Sequence, residues 1–130
     1  MNRYVADTHA LFWYLTNSPR LGAQASAVFD EGVRGQAVIY VPAIVLAELY
    51  YLNEKQKQPL EFKAEYARLQ NSGQFIFIPF SPDDVLDFAV TATVSEMHDR
   101  IIVGVARRLG AACLSIDSAI VASQLVPVVW

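Results

Sequence analysis

Short apolar runs rich in β-branched and aromatic residues alternate along this chain with longer stretches whose apolar residues recur every three or four positions. Tyr4-Val5-Ala6 reads as a first strand and His9 to Leu15 as a helix. Leu21 to Val33, with Pro19 just ahead of it, reads as a second helix. Ala37 to Val41 reads as a second strand, and Pro42 then opens a helix to about Lys55. Pro59 opens another, ending near Ser72-Gly73. Phe75 to Ile78 reads as a third strand, and Ser81-Pro82-Asp83-Asp84 starts a helix with a capping residue. His98 to Leu109 is a helix closed by Gly110; Ala112 to Ile116 is a fourth strand and Val126 to Val129 a short last one.

Strand–helix alternation with near-continuous apolar strands implies an α/β fold. The expected form is a three-layer α/β/α arrangement around a central, mainly parallel sheet. In such open sheets ligands collect at the carboxyl ends of the strands. No repeat, linker or low-complexity stretch interrupts the pattern, so residues 1–130 are expected to form one domain. A hydrophobic share of 54% excludes disorder, and no apolar run approaches the ~20 residues of a membrane-spanning helix. Asp7 interrupts any leader-like segment, and the single cysteine, Cys113, sits in an apolar run, so a soluble protein of the reducing cytoplasm is expected. Ten basic against 13 acidic side chains give a net charge of −3, which argues against gripping nucleic acid by bulk charge. Where the acids lie matters more than their sum.

Asp7 directly follows the first strand and Asp117 the fourth, so both are expected at the carboxyl edge of the sheet. Each has a plainer reading as the cap of a helix beginning at Thr8 or Ser118. Glu48 lies in a stripe formed by Ile44, Val45, Tyr51 and Leu52. It must therefore reach solvent or have a partner; Lys55, two turns on, is one choice. Asp99 stands at the start of its helix, at the border of a stripe of Ile101, Ile102, Val105, Ala106 and Leu109. Arg100, Gly104, Arg107 and Arg108 form the other side of that helix, read as a solvated basic face.

Carboxylates that converge repel by about 4 kcal/mol at ~4 Å and an effective dielectric near 20. They persist together only with cations or added protons. An all-oxygen donor set without a His/Cys cluster suits Mg²⁺ or Mn²⁺, ions that polarise water and phosphate oxygens. Phosphodiester hydrolysis is the natural chemistry of such a set. His9 and His98 lack a nucleophile or metal motif around them and are expected to be structural. Phe12, Trp13 and Tyr14 are candidates for base stacking, but consecutive helical positions point apart, so most should serve the core or an interface.

Four segments, in order and at suitable separations, resemble a PIN domain, and within that family the short VapC-type toxin ribonucleases. Val5-Ala6-Asp7-Thr8-His9-Ala10-Leu11-Phe12-Trp13-Tyr14-Leu15 resembles the opening strand and its DTHALLW segment. Pro42 to Leu49 resembles the segment that carries the family's glutamate. Glu96 to Ala106 resembles DPFDRLLIAQA, and Leu114-Ser115-Ile116-Asp117 resembles the LLTxD strand end. The resemblance implies a Mg²⁺- or Mn²⁺-dependent endoribonuclease with Asp7, Glu48, Asp99 and Asp117 as catalytic and metal-holding residues. It also implies an RNA substrate, an inhibiting antitoxin partner and a homodimer. The chain departs from the pattern at Glu96, in place of the first aspartate, at Leu52, in place of a lysine, and at Ser115, in place of a threonine.

The rival reading is a catalytically inactive PIN-like module that binds protein or RNA; four mutually repelling carboxylates speak against it. A small-molecule phosphotransferase fits less well. Asp7 is followed by Thr8-His9 with no second aspartate two residues on, and no Gly-rich phosphate loop with lysine is present.

Overall fold

A computed structural model describes residues 1–130. Five strands form one sheet: β1 (Asn2–Ala6), β2 (Ala37–Pro42), β3 (Phe75–Ile78), β4 (Ala112–Leu114) and β5 (Val128–Val129). Their spatial order is β3-β2-β1-β4-β5 and every pairing is parallel. Successive strand residues face opposite sides of a sheet. Val5 and Ala6 are both fully buried, as are Cys113 and Leu114, so the centre of the sheet is covered on both faces, the α/β/α arrangement expected. The helices are α1 (Thr8–Leu15), α2 (Ala23–Val33), α3 (Ala43–Lys55), α4 (Phe62–Asn71), α5 (Pro82–Leu86), α6 (Met97–Leu109) and α7 (Ser118–Ser123).

The core is a continuous cluster in which Val5, Ile39 and Val41 of the sheet meet Leu11 of α1, Phe29 of α2 and Ile102 of α6. Tyr14 stacks on Phe29, with ring centroids 4.1 Å apart and planes within 6°. Cys113 is part of this core, and burial pushes its thiol up to about 12, so it packs and does not react. No helix is long and apolar enough to cross a membrane.

Several boundaries differ from expectation, each for a local reason. Helix α4 begins at Phe62, because Lys57 and Gln58 take positive φ and Pro59 lies in the loop. Asn53 holds that loop through Nδ2–H to the Leu60 carbonyl, 2.9 Å, and accepts the Leu60 N–H at 3.0 Å. Helix α2 begins at Ala23, with Gly22 as its cap. A Cβ at Gly22 would stand 2.4 Å from the Trp130 carbonyl oxygen, which itself accepts the Ala25 N–H. Strand β4 stops at Leu114, since the next residues turn to place Ser115 and Asp117.

The basic face expected on α6 is solvated only in part: Arg107 and Arg108 are exposed, Arg100 is half-buried and Gly104 is buried. The segment of α5 and a following 3-10 helix (Asp87–Ala89) lies across it. Arg100 donates to the carbonyls of Thr91 and Phe88, both at 3.2 Å, and Arg108 pairs with Asp87 and with the buried Asp84. Gly104 is buried at the crossing, and only Arg107 of the set stays exposed without a partner. Sequence periodicity identified the side of α6 facing the sheet but had no means of seeing a second layer on its back.

Candidate functional site

Strand order reverses between β1 and β4, since β2 and β3 extend to one side of β1 and β4 and β5 to the other. The crevice at such a switch point is where open parallel sheets bind ligands. Asp7 leaves the carboxyl end of β1 there and Asp117 follows β4, so the two acids flank the reversal. Helix α3 brings Glu48 to the same cleft and the first turn of α6 brings Asp99. The cleft measures about 580 Å³ and is also lined by Glu96, which caps α6 by accepting the Asp99 N–H at 2.9 Å. Acids on four separate elements thus converge.

Capping and convergence prove to be compatible readings. Asp7 Oδ1 accepts the Ala10 N–H at 2.9 Å, capping α1, while its Oδ2 accepts the Ser115 hydroxyl. Asp117 Oδ1 caps α7 through the N–H groups of Ala119, 2.9 Å, and Ile120, 3.2 Å, and leaves Oδ2 without a partner. Ser115, fully buried, also accepts the Asp117 N–H at 3.0 Å, so one hydroxyl ties the two aspartates together. Both are held in fixed orientations by the starts of their helices.

Glu48 does have partners, but Lys55 is not one of them. Its Oε1 accepts from the Thr8 hydroxyl at 2.8 Å, and its Oε2 lies 3.1 Å from His98 Nδ1, which donates when it carries the ring proton. His98 Nδ1 also lies 3.5 Å from Glu96 Oε1. His98 therefore supports two acids of the cleft without lining it, a role its neighbours in sequence did not disclose; the available signal was a histidine where the resembling segment has phenylalanine beside Asp99. Asp99 itself accepts no hydrogen bond. Burial, then the charges of Asp117, Glu96, Glu48 and Asp7, push its carboxyl up to about 6. Burial likewise raises Asp7, against the lowering effect of Ser115 and Ala10.

The donor set is oxygen-only, crowded with negative charge and free of any lysine or arginine. It fits a hard divalent cation. No three acidic, histidine or cysteine side chains stand close enough to cage an ion unaided, so an ion here would draw most of its shell from water and substrate oxygens. Asp99 and Asp117 Oδ2 are the oxygens left without hydrogen bonds.

A family model described as the PIN domain matches residues 4–122. Among curated proteins none matches in sequence. Solved structures are similar in fold at low identity. One is a VapBC2 complex from Rickettsia felis bound to a DNA fragment from its promoter. It has 15% identity and a TM-score of 0.71, covering 97% of this chain and 96% of that one. Another is Mycobacterium tuberculosis VapC20, a toxin that cleaves the sarcin–ricin loop, with 13% identity and a TM-score of 0.72, covering 98% and 99%. FitAcB from Neisseria gonorrhoeae has 19% identity and a TM-score of 0.66, covering 96% and 95%.

Proposed function

The chain belongs to the PIN domain family, and from that premise and its acidic cleft we propose that it is a Mg²⁺- or Mn²⁺-dependent endoribonuclease, the toxin of a toxin–antitoxin pair. The observation that carries this reading is the convergence of Asp7, Glu48, Asp99 and Asp117 from four elements on one cleft to which the chain brings no lysine or arginine. Such a charge arrangement is costly to a module that only binds and useful to one that recruits a cation.

A divalent ion held there would neutralise the carboxylates, draw in a phosphate oxygen and make water a better nucleophile. The chain's own part is positional. Ser115 and the start of α1 hold Asp7, the start of α7 holds Asp117, and Thr8 with His98 holds Glu48. Three carboxylates are thereby preset at little entropic cost on binding, while Asp99 keeps its freedom to turn toward ion or substrate. The sarcin–ricin loop cleavage by VapC20 supports RNA as the substrate class, and the VapBC2 assembly supports a cognate antitoxin partner. A homodimer is part of the same proposal.

The test is cleavage of total RNA by wild-type and Asp7→Asn protein in Mg²⁺, Mn²⁺ or EDTA. Discrete fragments are expected only from wild type with metal, with a loss of at least about 100-fold in the variant. Asparagine keeps the Oδ1 that accepts the Ala10 N–H, so the variant should remain folded. Metal-independent cleavage, or fragments that persist in Asp7→Asn, would sink the mechanism, and no cleavage by well-folded, partner-free protein would favour the non-catalytic module.

A further inference from the structure

A second hollow of about 330 Å³ adjoins the acidic cleft and shares His9, Trp13 and Leu52 with it, so the two form one groove. One wall is aromatic, formed by His9, Phe12 and Trp13. The exposed His9 ring lies 5.2 Å from the Trp13 ring, and Trp130 meets Trp13 edge-on at 5.7 Å, which braces the indole from the side. Arg20 stands over Trp13, its guanidinium carbon 6.0 Å from the ring centroid. That guanidinium is exposed and makes no hydrogen bond through its side chain and no ion pair. Arg100 and Arg108, by contrast, are spent on carbonyls and aspartates behind α6. Arg20 is therefore the free arginine of the groove, and position 52 adds no charge of its own.

Single-stranded nucleic acid is bound by π-faces for its bases beside cations for its backbone. Both occur here within one hollow that opens directly on the carboxylates. We propose that His9, Trp13 and Arg20 form a nucleotide subsite for single-stranded RNA. The base next to the scissile phosphate packs on the His9–Trp13 wall, and Arg20 pairs with its backbone phosphate. This rests on the ribonuclease reading and extends it by saying where the strand runs. It also bears on charge, since the chain carries −3 and the cleft itself is acidic, so a cation beside it gives an anionic strand a hold.

Binding can be read apart from turnover. In an Asp7→Asn background with Mg²⁺, a fluorescein-labelled single-stranded RNA of about 12 nucleotides and mixed sequence is titrated across a range of salt. Arg20→Ala should weaken binding about fivefold and reduce the slope of log affinity against log salt by about 0.7, one phosphate contact. His9→Ala should weaken binding several-fold with the slope unchanged. Both side chains are exposed, so neither change threatens folding, whereas Trp13→Leu is read only after its melting curve matches the parent's. Arg107→Ala, far along α6, should bind as the parent does. Equal affinity and slope in parent, Arg20→Ala and His9→Ala overturn the subsite, as does a parent that binds no RNA. If wild type still cleaves RNA with metal in that case, the ribonuclease reading survives without the subsite; if it does not, both fall.

Discussion

Asp99 accepts no hydrogen bond, and burial together with four other carboxylates lifts its carboxyl to about 6. The folded protein therefore holds a proton there at a pH where the unfolded chain, near 3.8, has released it. Stability from this group is present at low pH and is lost as pH rises from about 4 through 6. In metal-free protein, Asp99→Asn should accordingly raise Tm at pH 7.5, and its advantage over wild type should vanish by about pH 4. Melting curves of the two proteins across that range check it, and a variant less stable than wild type at pH 7.5 would remove the repulsion account. His98 acts on a different carboxylate. Its Nδ1 reaches Glu48, a reach that the asparagine amide nitrogen reproduces and the longer glutamine does not. His98→Asn should keep more Mn²⁺ affinity than His98→Gln by calorimetry, and equal losses would mean that the ring only fills space.

At the scale of elements, α6 is the most constrained helix, with the sheet on one side and the segment of Pro82–Ala89 on the other. Gly104 permits that second contact: a Cβ there would stand 3.2 Å from Asp87 Cβ. Alanine in a helix ordinarily gains about 1 kcal/mol over glycine. Here Asp87 cannot give way, because Arg108 holds its carboxylate and its carbonyl accepts the N–H groups of Val90 and Thr91. Overpacking of about 1–3 kcal/mol then wins, and Gly104→Ala should lower Tm by several degrees. Combining it with Arg108→Ala should cost less than the two separate losses added together, since a released Asp87 can move aside. Additive losses would show that the strap does not hold Asp87 against α6.

Across the whole molecule the excess of acids is small, but the fold gathers it at one edge of the sheet. Ions that bind the folded state alone stabilise it by mass action, by about 2.7 kcal/mol at a hundred times the dissociation constant. Saturating Mn²⁺ should raise Tm by several degrees at pH 7.5. The gain should shrink below pH 6 as protons compete at Asp99, and EDTA should abolish it. A Tm indifferent to millimolar Mn²⁺ at neutral pH would count against a cation site in the cleft.

Much of this was legible in the chain. Alternation of apolar strands and amphipathic helices determines a parallel sheet covered on both faces, because each element can bury its apolar side only against another. Acids placed directly after Ala6 and close behind Leu114 are bound to reach its carboxyl edge, whatever the helices do. Glu48 in an apolar stripe and Asp99 at a helix start announced themselves as acids out of place. Local pattern did not carry the partners. That Ser115 joins Asp7 to Asp117, that His98 and not Lys55 faces Glu48, and that the segment from α5 to Thr91 covers Arg100 and Arg108 depend on contacts between different elements, up to 108 residues apart in the chain. Periodicity records which side of an element is apolar, a property of the element alone. Which polar group meets which is set by the packing of elements remote in sequence, and only the tertiary structure decides it.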